Sequence, residues 1–132
     1  MSEETPERPT VLVVDDEEDL RDIMRRMLER RGFDTLVAGD SESAIAACRD
    51  HEGVIDVLVT DLGLPGASGG ELSRTATELR PSMSVVYISG LPKDIAVSKG
   101  LIGDDALLVK KPFTSELLVE ALRVVLAAKA TS

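Results

Sequence analysis

The segment VLVTDLGLPG, residues 57–66, carries the strongest indication of the fold. Its first half is a short run of branched apolar residues, which indicates a strand buried on both faces. The run stops at a single carboxylate, Asp61, and a loop marked by Pro and Gly follows. Asp61 is therefore predicted at the carboxyl end of a strand. Ligands bind at that edge in open parallel α/β sheets, so Asp61 is a candidate functional residue.

Length and composition favour one globular domain. The chain has 132 residues, of which 43% are hydrophobic and 30% are charged, a balance that supports a buried core and excludes wholesale disorder. There are 24 acidic residues against 15 Lys and Arg, so the net charge is −9. Because contacts from Lys and Arg to phosphate supply most non-specific nucleic-acid affinity, this charge argues against direct binding to nucleic acid or an anionic membrane.

Three further features of the sequence predict a cytoplasmic chain with no membrane insertion. Cys48 is the only cysteine, which excludes an intrachain disulfide and suits a reducing compartment. No apolar run approaches the ~20 residues of a membrane span. The first residues also lack the basic and apolar regions of a signal peptide.

Strands and helices are predicted to alternate five times between a loose leader, residues 1–9, and a short tail, residues 129–132. Apolar runs typical of strands occupy residues 11–14, 34–38, 57–61, 84–89 and 106–109. This alternation predicts an α/β fold: a five-stranded, doubly wound parallel sheet with helices on both faces and the flavodoxin-like strand order 2-1-3-4-5.

Helical spacing and capping residues define the segments between the strands. Asp40 is predicted to cap the second helix, and Ser68 with Glu71 has the spacing of a capping box. The fourth helix, residues 92–100, is predicted to be short, and the last runs over residues 114–128. The apolar stripe of the first helix comprises Leu20, Ile23, Met24, Met27 and Leu28, and that of the last comprises Leu117, Leu118, Ala121, Leu122, Val125 and Leu126.

The carboxyl ends of four predicted strands face one crevice in that strand order. The residues predicted at these ends are Asp15, Asp16, Asp61, Ser89 and Lys111. One pair of like charges ~4 Å apart costs about 4 kcal/mol at an effective dielectric near 20, so three carboxylates there favour a cation. Oxygen ligands from Asp16, Asp61 and a carbonyl near Gly63 suit a hard ion such as Mg²⁺.

A phosphoryl-transfer chemistry fits this crevice. With a divalent ion beside it, the Asp61 carboxylate can act as a nucleophile and form an aspartyl phosphate. Lys111 can reach the other phosphoryl oxygens as a mobile point charge, and Ser89 can donate a hydroxyl hydrogen bond to one of them.

These motifs resemble the receiver domain of two-component response regulators. The likeness covers residues 10–128, and its motifs occur in order at matching strand ends, which is far more specific than any one of them. The residues that carry it are Val11-Leu12-Val13-Val14-Asp15-Asp16-Glu17, Thr60-Asp61 with Leu64-Pro65-Gly66, Ser89-Gly90 and Lys111-Pro112-Phe113.

The resemblance implies roles for the acidic residues and a source for the phosphoryl group. Asp61 would be the phosphoacceptor, and Asp16 would ligate Mg²⁺ directly. Asp15 would act through a coordinated water, and the Gly63 carbonyl would complete the protein ligands. The phosphoryl group would come from the phosphohistidine of a histidine kinase or a histidine phosphotransfer domain, docked near the first helix and Phe113.

The same resemblance implies roles for the other strand ends. Ser89 would be the switch hydroxyl, Lys111 would be the charge partner of the phosphoryl group, and the Lys111–Pro112 peptide would be cis. Leu108 departs from the family, which usually has an aromatic switch residue at this position. The segment Ser89-Gly90-Leu91-Pro92 resembles receivers fused to hybrid sensor histidine kinases, so a stand-alone regulator and an excised hybrid receiver both stay open.

Other interpretations of these residues carry less weight. Asp15 and Asp16 can cap a helix, Ser89 can be a turn residue, and Lys111 can be a solvated charge. A degenerate receiver that acts only as an interaction scaffold would be expected to lack one of the motif residues. A phosphatase of the haloacid dehalogenase type matches Asp15 and Glu17 in spacing, but the chain has no room for a cap domain. A flavodoxin is disfavoured because the first loop is acidic where phosphate needs donors.

Overall fold

Parallel strands and flanking helices alternate along the chain. The computed structural model describes residues 8–64 and 68–131, with side chains described as far as residue 128. The strands are β1 Thr10–Val14, β2 Asp34–Ala38, β3 Val57–Asp61, β4 Ser84–Ser89 and β5 Leu107–Lys110. The helices are α1 Glu18–Arg30, α2 Ser41–Asp50, α3 Gly69–Leu79, α4 Lys93–Ser98 and α5 Ser115–Thr131. Among these helices, none is long and apolar enough to cross a membrane.

One five-stranded parallel sheet, in the order β2-β1-β3-β4-β5, carries the fold. This confirms the predicted flavodoxin-like sheet. β3 lies at its centre and is buried through Thr60 because helices cover both faces. Val14 pairs with Thr60, and Asp61 pairs with Ile88. The carboxyl ends of β1, β3 and β4 therefore lie side by side.

The two faces of the sheet bury different clusters of apolar side chains. Successive residues of a strand point to opposite faces, so Val11 and Val13 pack with α1 and α5 whereas Leu12 and Val14 pack with α2 and α3. A third, smaller cluster lies under α4 and comprises Leu62, Tyr87, Ala96 and Ile102.

The helix starts follow the predicted capping signals. Asp40 accepts a hydrogen bond from the Ser43 N–H at 2.7 Å and caps α2. Ser68 and Glu71 form the complete capping box of α3. α4 has only six residues, and its N-cap Pro92 makes no side-chain cap, which agrees with the prediction of a short helix.

Two residues of the predicted apolar stripes are exposed. Ile23 of α1 is 52% exposed and Leu117 of α5 is 56% exposed, while Leu28 and Leu118 on the same helices are fully buried. Both exposed residues lie at the flank of their stripe. Helical spacing shows which residues share a side of the helix, but not where contact with the sheet ends.

The chain ends differ modestly from the prediction. Arg8, within the predicted leader, donates hydrogen bonds to Asp34 Oδ1 and to the Phe33 carbonyl, both at 2.9 Å. α5 continues to Thr131, beyond the predicted end at residue 128. Residues 1–7 of the leader and the loop residues Pro65 and Gly66 lie outside the described residues.

Candidate functional site

Asp61 ends β3 and presents both carboxylate oxygens to hydrogen-bond donors. Its Oδ1 accepts a hydrogen bond from the Gly63 N–H at 2.8 Å, and its Oδ2 accepts one from Lys111 Nζ at 2.7 Å. The side chain is 13% exposed. The carboxylate is thus held by the following loop and by a cation, and it remains open to solvent.

Asp15 follows β1 and is fully buried beside Asp61. Its Oδ1 accepts a hydrogen bond from the Glu17 N–H at 2.8 Å. Within the described part of the chain its Oδ2 has no hydrogen-bond partner, and it forms an ion pair with Lys111 Nζ at 3.4 Å. Burial raises the pKa of the Asp15 carboxyl, and the Asp61 charge adds to that, against the opposing effects of the Glu17 N–H and the Lys111 charge.

The acidic cluster fits a divalent cation. Asp15, Asp16 and Asp61 each offer a carboxylate oxygen, and these oxygens lie within 4.8 Å of one another. Three acids this close repel, and the buried Oδ2 of Asp15 has a cation 3.4 Å away but makes no hydrogen bond among the described residues. An all-oxygen set with one exposed member, Asp16, suits Mg²⁺, which keeps several of its waters.

Lys111 reaches the site from the end of β5. Its backbone N–H donates to the Ser89 carbonyl at 2.8 Å, and the peptide bond to Pro112 is cis, as the resemblance implied. Burial lowers the pKa of Lys111, but the hydrogen bond to Asp61 and the charges of Asp61 and Asp15 outweigh it, so the pKa is raised. The ammonium group is therefore held charged between the two acids.

Ser89 lies at the end of β4 and is buried. Its Oγ accepts a hydrogen bond from the Leu91 N–H at 2.9 Å, the contact expected of a turn residue. Among the described residues the Ser89 hydroxyl donates no hydrogen bond, so its hydrogen can serve a second acceptor. Leu108, at the departure from the family pattern, packs against the cluster under α4 that contains Tyr87.

Two contacts of the site were absent from the sequence prediction. Arg21 Nη1 donates to the backbone carbonyl of Asp15 at 2.9 Å, and the Gly63 N–H donates to Asp61 Oδ1 at 2.8 Å. The available signal for Arg21 was its position one helical turn after the acidic loop. That spacing alone does not distinguish it from the other arginines of α1.

Comparisons with known proteins agree with this geometry. The family model described as response regulator receiver domain matches residues 11–123. The sensory transduction protein RegX3 of Mycolicibacterium smegmatis is 35% identical over 118 residues, which cover 89% of this chain and 50% of RegX3. The chain thus spans about half the length of this curated relative.

Solved structures give the same result. A response regulator receiver protein from Sinorhizobium medicae superposes with a TM-score of 0.81 at 32% identity, covering 95% of this chain and 99% of that one. The receiver domain of the hybrid histidine kinase CckA superposes with a TM-score of 0.74 at 28% identity, covering 89% and 98%. Receivers of different parent proteins therefore share this architecture.

Proposed function

Because the chain belongs to the response regulator receiver domain family, we propose that Asp61 accepts the phosphoryl group and that Mg²⁺ assists the phosphoryl transfer. A receiver domain is a phosphoacceptor signalling module rather than a conventional enzyme. The observation that carries the proposal is the position of Asp61, whose carboxylate accepts a hydrogen bond from the Lys111 ammonium and lies within the cluster of Asp15, Asp16 and Asp61.

The acids of the crevice would hold the cation. Asp16 and Asp61 would ligate it directly together with the Gly63 carbonyl, and Asp15 would act through a coordinated water. A bound divalent ion supplies the positive charge that lets an anionic phosphoryl group approach a carboxylate. Asp15 supports this assignment because its buried Oδ2 makes no hydrogen bond among the described residues, and its contact with Lys111 Nζ is an ion pair at 3.4 Å.

The remaining residues act on the incoming phosphoryl group. An oxygen of Asp61 forms the new P–O bond while the P–N bond of a donor phosphohistidine breaks, and the imidazole nitrogen keeps the electron pair. Lys111, already 2.7 Å from Asp61 Oδ2, exchanges this contact for one with a phosphoryl oxygen. Ser89 donates its hydroxyl hydrogen to another, which makes it the switch hydroxyl.

The donor would be a histidine kinase or a histidine phosphotransfer domain that docks beside the site. An apolar pocket of about 390 Å³ lies there, lined by Leu20, Ile23, Met27, Lys111, Pro112 and Phe113.

We assign residues 10–128 to the receiver unit and place it in the cytoplasm, where the single buried Cys48 stays reduced. Its parent protein is either a stand-alone regulator or a hybrid kinase.

Intact-mass analysis after incubation with acetyl phosphate tests the assignment. One phosphoryl adduct is expected, dependent on Mg²⁺ and absent from Asp61→Asn. Asp50→Asn, at an exposed acid that ends α2, is the matched control and should be phosphorylated normally. An adduct that persists in Asp61→Asn would refute Asp61 as the acceptor. Failure of the folded protein to react with acetyl phosphate and with phosphorylated histidine proteins would favour the scaffold alternative.

A further inference from the structure

Arg21 contacts the backbone of the acidic loop rather than its carboxylates. Its Nη1 donates a hydrogen bond to the Asp15 carbonyl at 2.9 Å. Its own N–H donates to the Glu17 carbonyl at 2.9 Å, so the side chain starts in the first turn of α1 and folds back over the preceding loop. Arg21 therefore ties α1 to the segment that carries Asp15 and Asp16.

The carbonyl that Arg21 holds belongs to the peptide unit between Asp15 and Asp16. A peptide unit is planar, so holding its oxygen also sets the orientation from which Asp16 continues. On the other side, the Asp15 N–H donates to the Ala38 carbonyl at 3.2 Å. Both peptide units around Asp15 are thus held by groups outside the loop, and they orient the backbone that carries two of the three clustered carboxylates.

Gly39 leaves the space that the guanidinium occupies. A Cβ at this position would lie 2.8 Å from Arg21 Nη1, and its three nearest atoms would all belong to the Arg21 guanidinium. Real Cβ atoms do not come this close. Because the obstructing group is the end of a flexible side chain, an added methyl group would displace the guanidinium and leave the backbone in place.

We propose that Arg21 is a positioning residue for the cation site and that Gly39 is the glycine that lets it reach Asp15. The inference rests on the proposed function, because it takes Asp15 and Asp16 as the residues that hold Mg²⁺. The change in Mg²⁺ affinity expected on removing Arg21 is opposite in sign to the change that its charge alone would give. Removing a cation near three carboxylates strengthens their attraction for Mg²⁺, whereas freeing the Asp15–Asp16 peptide unit disperses the ligands and weakens it.

Calorimetric titration with Mg²⁺ separates the two effects without measuring phosphorylation. Arg21→Gln is expected to raise the Kd for Mg²⁺ about tenfold, the effect typical of losing a group that orients a ligand. Gly39→Ala should raise it by a smaller factor while leaving the melting temperature near that of the unaltered protein. Added to Arg21→Gln, Gly39→Ala should cause no further change, because the group it displaces is already gone.

The matched control removes the same charge from the same helix. Arg26 forms an ion pair with Asp22 at 3.1 Å. Arg26→Gln should leave the Kd for Mg²⁺ unchanged or lower it slightly. Tighter or unchanged binding in both Arg21→Gln and Gly39→Ala would overturn the inference, since charge alone gives that result. An additional loss from Gly39→Ala in the Arg21→Gln background would overturn the pairing of the two residues.

Failure of this inference is distinct from failure of the proposed function. If the unaltered protein does not bind Mg²⁺, the cation site itself is refuted and the role of Arg21 falls with it. If the unaltered protein binds Mg²⁺ and the variants bind equally well, only the role of Arg21 is refuted. Should Arg21→Gln not fold, Gly39→Ala decides alone, because it keeps both the charge and the backbone.

Discussion

Asp15 has surroundings in the folded protein that oppose the charge of its carboxylate. Burial has the largest effect on its carboxyl and raises the pKa, and the neighbouring Asp61 charge acts in the same direction. One of its oxygens has no hydrogen-bond partner among the residues that the structure describes. A buried acid with these surroundings is expected to destabilise the fold, which is typical of residues retained for function.

Replacing Asp15 by Asn is expected to raise the free energy of unfolding of the metal-free protein by about 1 kcal/mol, a usual scale for one stabilising substitution. Asn keeps an oxygen for the Glu17 N–H and removes a charge beside Asp61. The pKa of folded Asp15 lies above its ordinary value of 3.8, so the penalty exists only while the carboxyl is ionised. The gain in the free energy of unfolding should be greatest at neutral pH and should shrink as the pH falls toward 3.8. Urea unfolding at several pH values measures this gain.

Magnesium should reverse the comparison between the two proteins. A ligand that binds only the folded state stabilises it by RT ln(1 + [L]/Kd), so Mg²⁺ should stabilise the unaltered protein more than Asp15→Asn. Asp50→Asn should change neither measurement. If Asp15→Asn proves less stable without Mg²⁺, then the Lys111 ammonium, 3.4 Å away, compensates the Asp15 charge fully and the idea of an unsatisfied acid is wrong.

Between elements, Arg80 connects the end of α3 to the end of α2. Its guanidinium donates to the carbonyls of Cys48 at 2.7 Å, His51 at 2.5 Å and Gly53 at 2.7 Å. The last carbonyls of a helix lack partners within the helix. Arg80 supplies them with charged donors in a forked arrangement that lysine cannot reproduce.

Arg80→Gln is expected to lower the free energy of unfolding by about 2 kcal/mol, because hydrogen bonds from a charged group to partly buried carbonyls are lost. Arg80→Lys should recover only part of the loss. Arg74→Gln, on the exposed side of α3, is the control and should stay within about 0.5 kcal/mol of the unaltered protein. Equal stabilities for Arg80→Gln and Arg74→Gln in urea unfolding would show that water replaces the guanidinium without loss.

The elements themselves were predictable because their signals are local. The apolar run of β3, the Asp40 cap and the Ser68–Glu71 box each lie within a few residues of what they specify. The contacts of Arg21 and Arg80 were not predictable, because each joins a side chain to backbone carbonyls whose positions depend on the finished fold. The exposure of Ile23 and Leu117 has the same origin, since packing of whole helices sets the limit of each buried stripe.

At the scale of the whole molecule, strand order assembles the site. Asp15, Asp61, Ser89 and Lys111 are far apart in sequence, and the order 2-1-3-4-5 brings their strand ends to one edge. Their proximity could therefore be predicted from topology alone. The unbonded Oδ2 of Asp15 could not, because it depends on the side-chain position set by the Glu17 N–H.

The apolar pocket beside this edge leads to a prediction about partner choice. Ile23 is 52% exposed and lines the pocket together with Phe113. Its apolar side chain takes no part in the hydrogen bonds and ion pairs of the acids. Ile23→Ser should leave phosphorylation by acetyl phosphate unchanged and slow transfer from a phosphorylated histidine phosphotransfer domain about tenfold, the loss of a single apolar contact at an interface. Single-turnover transfer rates with the two donors measure the difference.

Leu117→Ser provides the control, because Leu117 is as exposed as Ile23 but lies on α5 outside this pocket. It should leave both rates unchanged. Equal slowing with both donors would mean that Ile23 supports the phosphorylation site rather than the partner. Slowing by Leu117→Ser alone would move the docking surface to α5. A donor-specific effect confined to Ile23 would instead mean that chemistry and recognition occupy adjacent surfaces, with Lys111–Pro112–Phe113 contributing to both.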